Sequence, residues 1–222
     1  MNLKISSSIL SCDFLNLSNE LDKLENAGLD YIHFDVMDGH FVPNISFGPC
    51  IFDYVKSYSS IPIETHLMIS HPIDYINAFG GSDTIIFHIE SDDNPMEVIK
   101  KIKNSNMKVG ISLNPNTKYE KIIPYLTYVD YVLVMSVQPG FGGQKFLVDQ
   151  VDKIKNIYNY LKKNNLKVII GVDGGINDKN AKMCIDAGVS TLVVGSFLMK
   201  SENISRSCNI LRENARVTLN SF

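Results

Sequence analysis

The chain has 222 residues, 45% of them hydrophobic and 20% charged, and a formal net charge of −3. That composition excludes wholesale disorder and collagen-like repeats, and the length suits one large domain or two small ones, because single cores stop growing at roughly 250–300 residues. With 21 Lys plus Arg against 24 Asp plus Glu there is no global positive field for nucleic acid or an anionic membrane, and no apolar run reaches the roughly 18–20 residues of a membrane span.

The first residues, Met1 to Ile5, are expected to lead straight into a strand, with no removable signal segment. Short β-branched runs predict strands at 5–10, 31–37, 63–69, 84–90, 108–114, 131–137, 167–173 and 191–196. Most are continuous apolar stretches, the pattern of parallel strands buried on both faces. Amphipathic spacing predicts helices at 17–27, 49–58, 96–106, 145–163 and 180–187, with Gly28 and Gly188 placed as C-terminal caps. Eight alternating units in this length predict an α/β fold, a (β/α)8 TIM barrel in one domain spanning 1–222. An open doubly wound sheet is the alternative, but the G-x-G-x-x-G turn after its first strand is absent. In barrels of this kind the site lies at the C-terminal ends of the strands.

Polar residues late in the apolar strands are therefore the informative ones. In the second strand, period two puts His33, Asp35 and Met37 on one face and leaves Phe34 and Val36 for the helix layer. His66 and Met68 share a face of the third strand, and the seventh stays apolar until it ends in Asp173. Taken singly, each His reads as a hydrogen-bonded core residue and Asp173 as a turn. Together, burying two imidazoles and two carboxylates is costly unless they are paired or hold a cation. The metal ligands are therefore expected to be His33, Asp35, His66 and Asp173. A mixed nitrogen and oxygen set suits one Zn²⁺ or Fe²⁺ per subunit, with Mn²⁺ or Co²⁺ as alternatives, better than Ca²⁺. Met37, Met68 and Met135 read either as gap-filling core or as a water-poor wall of the site.

His88 and Glu90 end the fourth strand, as supports for the ligands or as core packing; His40 and Phe41 lie in a loop able to cover the mouth, and His71 reads as surface. Glycines cluster after the last three strands: Gly140, Gly142 and Gly143, then Gly174 and Gly175, then Gly195 before Ser196. Each pair alone is a tight turn. On adjacent strands the three segments predict backbone amides gathered around a phosphate. Cys12, Cys50, Cys184 and Cys208 are scattered, form no C-x-x-C pair, and read as reduced and mostly buried thiols of a cytoplasmic protein.

In this order the segments resemble the ribulose-phosphate 3-epimerase family along nearly the whole chain. The resemblance is carried by S-I-L-S-C-D-F at 8–14, H-F-D-V-M-D-G-H-F-V-P-N at 33–44, H-L-M at 66–68, P-G-F-G-G-Q at 139–144, V-D-G-G-I at 172–176 and V-G-S at 194–196. Gln138 stands where family members often have Glu or Asn. The resemblance implies a barrel of the ribulose-phosphate-binding type, a homo-oligomer (dimer or hexamer) and a small sugar phosphate as substrate. It gives the metal-ligand role to His33, Asp35, His66 and Asp173 and the catalytic role to Asp35 and Asp173. Substrate contacts fall to Ser8, His66, Gly140, Phe141, Gly142, Gly143, Asp173, Gly174, Gly175, Gly195 and Ser196.

The implied reaction is epimerisation at C3 between D-ribulose 5-phosphate and D-xylulose 5-phosphate, by proton transfer between two carboxylates through a metal-stabilised 2,3-enediolate in the pentose phosphate pathway. Three rivals remain. An epimerase of a six-carbon ketose phosphate such as allulose 6-phosphate would carry the same ligands. A decarboxylase or aldolase of the same barrel type is disfavoured: Asp35 is followed by Val36-Met37-Asp38 rather than a D-x-K-x-x-D cluster, and no Lys sits late in a strand. A non-catalytic sugar-phosphate-binding barrel would keep the glycines but has no use for opposed carboxylates.

Overall fold

In the computed structural model, which describes residues 3–219, eight parallel strands close on themselves in the order β1-β2-β3-β4-β5-β6-β7-β8. The strands are β1 (Lys4–Ser8), β2 (Tyr31–Met37), β3 (Ile63–Met68), β4 (Thr84–His88), β5 (Lys108–Leu113), β6 (Tyr131–Met135), β7 (Ile169–Asp173) and β8 (Thr191–Val194). The crossovers are α1 (Leu17–Asn26), α2 (Pro49–Tyr58), α3 (Pro95–Asn104), α4 (Gln150–Lys163) and α5 (Ala181–Asp186). A short α6 (Ser196–Met199) and a long α7 (Ile204–Leu219) follow β8. The expected (β/α)8 barrel is thus present, though the crossovers after β3 and β5 tighten into 3-10 turns at Pro72–Asp74, Ile76–Phe79 and Tyr119–Tyr125. Met1 and Asn2, where the N-terminal lead was expected, lie outside the described residues.

Alternation along each strand splits the buried residues into two cores. Phe34 and Val36 of β2, with Ile85 and Phe87 of β4, point outward and pack with the helices; the Phe34 and Phe52 rings meet edge to face at 5.6 Å. Helix starts follow local chemistry. Pro49 and Pro95 occupy the first turns of α2 and α3, where a missing N–H costs nothing, and the Asn94 side chain accepts the Met96 N–H at 3.0 Å.

Inside the barrel the two halves differ. Ile86, Tyr131, Leu133, Met135, Val137 and Val193 form an apolar plug, with Gly171 glycine because a Cβ there would meet the Tyr131 hydroxyl. The β1–β4 side is lined instead by buried Ser6, His33, Glu64, His66 and His88. Buried polar groups must be paired, so that half of the barrel commits the fold to a hydrogen-bonded network below its mouth.

The boundaries at the mouth are shorter than the apolar runs suggest. β1 was expected to reach residue 10, but Ser8 ends it and caps the 3-10 turn Ile9–Ser11, its hydroxyl accepting the Leu10 N–H at 3.4 Å. β8 stops at Val194, and Ser196 opens α6 instead of ending a strand. The helix expected from residue 145 starts at Gln150, because the Gln144 side chain donates to the carbonyls of Gln138 and Phe141, at 2.6 and 2.8 Å, and folds the preceding stretch into a loop. Cys184 and Cys208 are buried as expected and Cys12 is half-buried, but Cys50 is exposed on α2.

Candidate active site

Four side chains converge at the floor of the mouth. β2 supplies His33 and Asp35, β3 His66 and β7 Asp173, and one ligating atom of each lies within 4.8 Å of the others. Nε2 of His33 is 3.2 Å from Nδ1 of His66. Oδ1 of Asp35 lies 3.4 and 3.1 Å from those two nitrogens, and Oδ2 of Asp173 is 4.0 Å from each. Four ligands bonded tetrahedrally at about 2.0–2.2 Å stand about 1.6 bond lengths, or ~3.3–3.6 Å, apart, so the cluster needs only small adjustments to hold a cation. The strand register sets Asp35 beside His66 across β2 and β3, and Asp173 joins them from the end of β7.

Each of the four is fixed from behind. Glu64 presents Oε2 to Nδ1 of His33 at 3.5 Å and accepts the Ser6 hydroxyl at 2.8 Å. The far nitrogen of His66 meets Nε2 of His88 at 2.9 Å, and Nδ1 of His88 meets Glu90 at 3.2 Å. Ser8 donates to Oδ2 of Asp35 at 2.6 Å, and Ser46 donates to the Asp35 carbonyl at 2.6 Å. Ser136 donates to the Asp173 carbonyl at 2.8 Å. Ligands oriented by outer hydrogen bonds characterise metal centres, so the donor set and its surroundings both fit a divalent ion.

The same crowding separates the two carboxylates electrostatically. Burial opposes charge on Asp35, but His33, by charge and hydrogen bond, and the hydrogen bond from His66 outweigh it and hold the carboxyl well below the ordinary range. Burial pushes Asp173 up to about 7, with His33 opposing and the charges of Asp35 and Glu64 adding to the rise. Burial also pushes His66 down to about 3, aided by His88 and His33 against the pull of Asp35. His33 goes the other way: although burial lowers it, Asp35, Glu64 and Asp173 raise it well above its usual value. The two carboxyls are thus pushed in opposite directions in the metal-free cluster, Asp35 down and Asp173 up.

Above this floor opens a cleft lined by Ser8, Asp35, Met37, Met68, Met135, Asp173, the glycine segments, Phe141 and Ser196. Of the residues expected to bind metal or substrate or to wall the site, all face it except His33 and His66, which are fully buried beneath; His40, Phe41, His71, His88 and Glu90 do not line it. Met37 and Met68 form a small apolar cluster with Val42, against which Phe41 and Leu10 pack. The Asn44 side chain donates to the Gly140 carbonyl at 2.7 Å and ties the loop after β2 to the loop after β6. His71 is exposed, as expected.

The sequence reading missed Ser11, Glu64 and Ser46. A Cβ on Gly142 or Gly195 would lie 3.3 or 3.2 Å from Ser11 Oγ, so this hydroxyl sits between two glycine segments. Glu64 carried a legible signal, two residues before His66 and hence on its face. Gly175 has φ +66°, and a Cβ there would stand 2.6 Å from the Phe146 backbone nitrogen and 2.7 Å from the Gln144 carbonyl oxygen. Gly175→Ala is therefore expected to displace the 144–146 segment and weaken inorganic phosphate binding at least tenfold; calorimetric titration with phosphate checks this, and unchanged affinity would separate that loop from anion binding.

Comparison with known proteins agrees with this geometry. A profile of the Ribulose-phosphate 3 epimerase family matches residues 4–199. Ribulose-phosphate 3-epimerase of Methanocaldococcus jannaschii is 41% identical over 218 residues, covering 98% of this chain and 93% of that protein. The Bacillus subtilis protein of the same name is 40% identical over 213 residues, covering 95% and 98%. Among solved structures, 3-hexulose-6-phosphate synthase from Salmonella typhimurium superposes with a TM-score of 0.69 over 97% of this chain and 100% of its own, at 15% identity, which shows the shared barrel.

Proposed function

The chain belongs to the ribulose-phosphate 3-epimerase family, an enzyme family of the isomerase class, and from that membership we propose that it interconverts D-ribulose 5-phosphate and D-xylulose 5-phosphate by inverting C3. The observation that carries the reading is the convergence of Asp35 and Asp173, from β2 and β7, on one point at the cleft floor.

Inversion next to a carbonyl requires a proton to leave C3 on one side and another to arrive on the opposite side. Asp35 and Asp173, on different strands at the cleft floor, are the two groups able to serve, one accepting the proton while the other gives one. After one turnover the two have exchanged states, so the same pair serves the reverse direction. His33, Asp35, His66 and Asp173 would hold a divalent ion, Zn²⁺ or Fe²⁺ first and Mn²⁺ or Co²⁺ as alternatives, which would supply Lewis-acid stabilisation of the developing negative charge. The thioethers of Met37, Met68 and Met135 wall the reacting carbons and exclude water without offering a competing base.

Binding of the 5-phosphate by Gly140 to Gly143, Gly174, Gly175, Gly195 and Ser196 is supported by their all lining the cleft, with Ser11 beside them. No Lys or Arg is among the described residues lining the cleft, which supports recognition by backbone amides. Ser8 completes the substrate contacts, while His66, buried beneath the cleft, serves among the metal ligands. Among the described residues no helix is long and apolar enough to cross a membrane; a cytoplasmic place in pentose phosphate metabolism fits the substrate. Exposed Leu15 and Ile45 on the loops around the mouth supply apolar surface for the expected homo-oligomer.

The test is turnover in heavy water. Deuterium should enter C3 of the product, read by NMR, at a rate at least equal to that of epimerisation. Product formed with C3 unlabelled would rule out the two-carboxylate route.

A further inference from the structure

Behind the cluster, His66, His88 and Glu90 form a chain of hydrogen bonds that runs away from the cleft. His66 Nε2 meets His88 Nε2 at 2.9 Å, and His88 Nδ1 meets Glu90 Oε2 at 3.2 Å. The other oxygen of Glu90 accepts the Asn114 backbone N–H at 2.9 Å, and Lys153 pins that turn by donating to the carbonyls of Asn114 and Pro115, at 2.9 and 2.7 Å. The two imidazoles stack at 5.0 Å with 20° between their planes, and Phe41 covers His88 at 4.8 Å. His66 and His88 are fully buried, so water does not supply alternative partners.

We propose that Glu90 and His88 are positioning residues for the reaction: they set the tautomer of His66, so that its Nδ1 reaches the cleft floor as a bare lone pair ready for a divalent cation. The inference rests on the reading of His66 as a metal ligand. An ionised carboxylate only accepts, so the hydrogen on the Glu90 contact belongs to His88 Nδ1. A neutral His88 then has a bare Nε2, and the hydrogen in the 2.9 Å contact belongs to His66 Nε2. His66 can carry no second hydrogen while neutral, so with a cation held at the floor Nδ1 would turn its lone pair to that cation, which would stand in for a hydrogen toward Oδ1 of Asp35, 3.1 Å away. With Asp35 engaged by the cation, the direction of the chain is decided at Glu90.

Glu90→Gln should reverse it. The amide oxygen goes to the Asn114 N–H, which demands an acceptor, and turns the NH₂ toward His88 Nδ1. His88 must then accept at Nδ1 and donate from Nε2, which forces the His66 hydrogen onto Nδ1, the atom that faces the cation.

The experiment strips the 222-residue chain with a chelator and titrates it with Zn²⁺ against a chromophoric competitor, wild type beside Glu90→Gln. Alongside, long-range ¹⁵N–¹H NMR of the Zn²⁺-loaded wild type reads which ring nitrogens carry hydrogen. The expected result is Zn²⁺ affinity about 10–100-fold weaker in the variant, the loss typical of removing an outer partner of a metal-bound His, with hydrogen on Nε2 of His66 and Nδ1 of His88 in the wild type. A variant that binds Zn²⁺ like the wild type, or a wild type with the opposite tautomers, overturns the relay and leaves the metal site standing. A wild type that takes up no Zn²⁺ overturns the metal reading, and the relay with it.

Discussion

Asp173→Asn is expected to slow interconversion of the two pentulose phosphates by on the order of 10²–10⁴, the range assigned to one positioned acid/base group. The amide has the shape of the carboxyl and can still lend its oxygen to a cation, but it cannot take up and return a proton. Asp173 lines the cleft at the end of β7 and is the second carboxylate of the pair. The loss should be lopsided. Asp35 comes from the second strand and keeps its own partners, Ser8 at 2.6 Å and His66 at 3.1 Å, so it can still remove the C3 proton of one epimer and return a deuteron to the same side. That epimer should exchange C3 with heavy water without being converted, whereas the other should exchange hardly at all. Assays at saturating divalent ion, with both epimers followed separately by NMR, check the asymmetry. Near-normal turnover would remove Asp173 from the chemistry, and an equal loss of exchange from both epimers would reduce it to a metal ligand.

That asymmetry depends on two strands whose reading needed no tertiary information. β2 (Tyr31–Met37) and α2 (Pro49–Tyr58) have the predicted bounds, because a short β-branched and aromatic run buried on both faces and a proline-started amphipathic turn are local signals. The overshoots at β1 and β8 share one cause. An apolar run shows that residues are buried, and Ile9 is buried, but not that they lie in a strand; the chain bends at Ser8 and Gly195 where the cleft begins. α7 was not anticipated, although Ile204, Cys208 and Leu211 are buried at helical spacing, because polar residues between them dilute the pattern. The ligands were legible because buried His and Asp are rare on apolar strands. Ser11 was not, since its place between two glycine segments arises only when β1, β6 and β8 are brought together at the mouth.

Removing the divalent ion is expected to abolish detectable turnover, with activity restored on adding Zn²⁺ or Fe²⁺ back, and to lower the thermal midpoint. The reason lies in what the bare cluster must do with its charges. Two carboxylates and two imidazoles within 4.8 Å cannot remain unprotonated without a positive centre between them, and the protons that fill the role sit on His33, raised well above its usual value, and on Asp173, raised to about 7. A cation must displace those protons, because metals bind the deprotonated ligand. Uptake at neutral pH should therefore release protons, and affinity should fall as pH drops below about 7 and rise as pH climbs above it. An ion that binds the native chain alone also stabilises it, by about 4 kcal/mol at a thousandfold excess over Kd, so the midpoint shift should shrink on the acid side in step with affinity. Calorimetric titration of Zn²⁺ in two buffers of different protonation enthalpy reads the proton count directly. Uptake with no proton release, or with affinity that strengthens toward acid, would mean that the ion binds somewhere other than among His33, Asp35, His66 and Asp173.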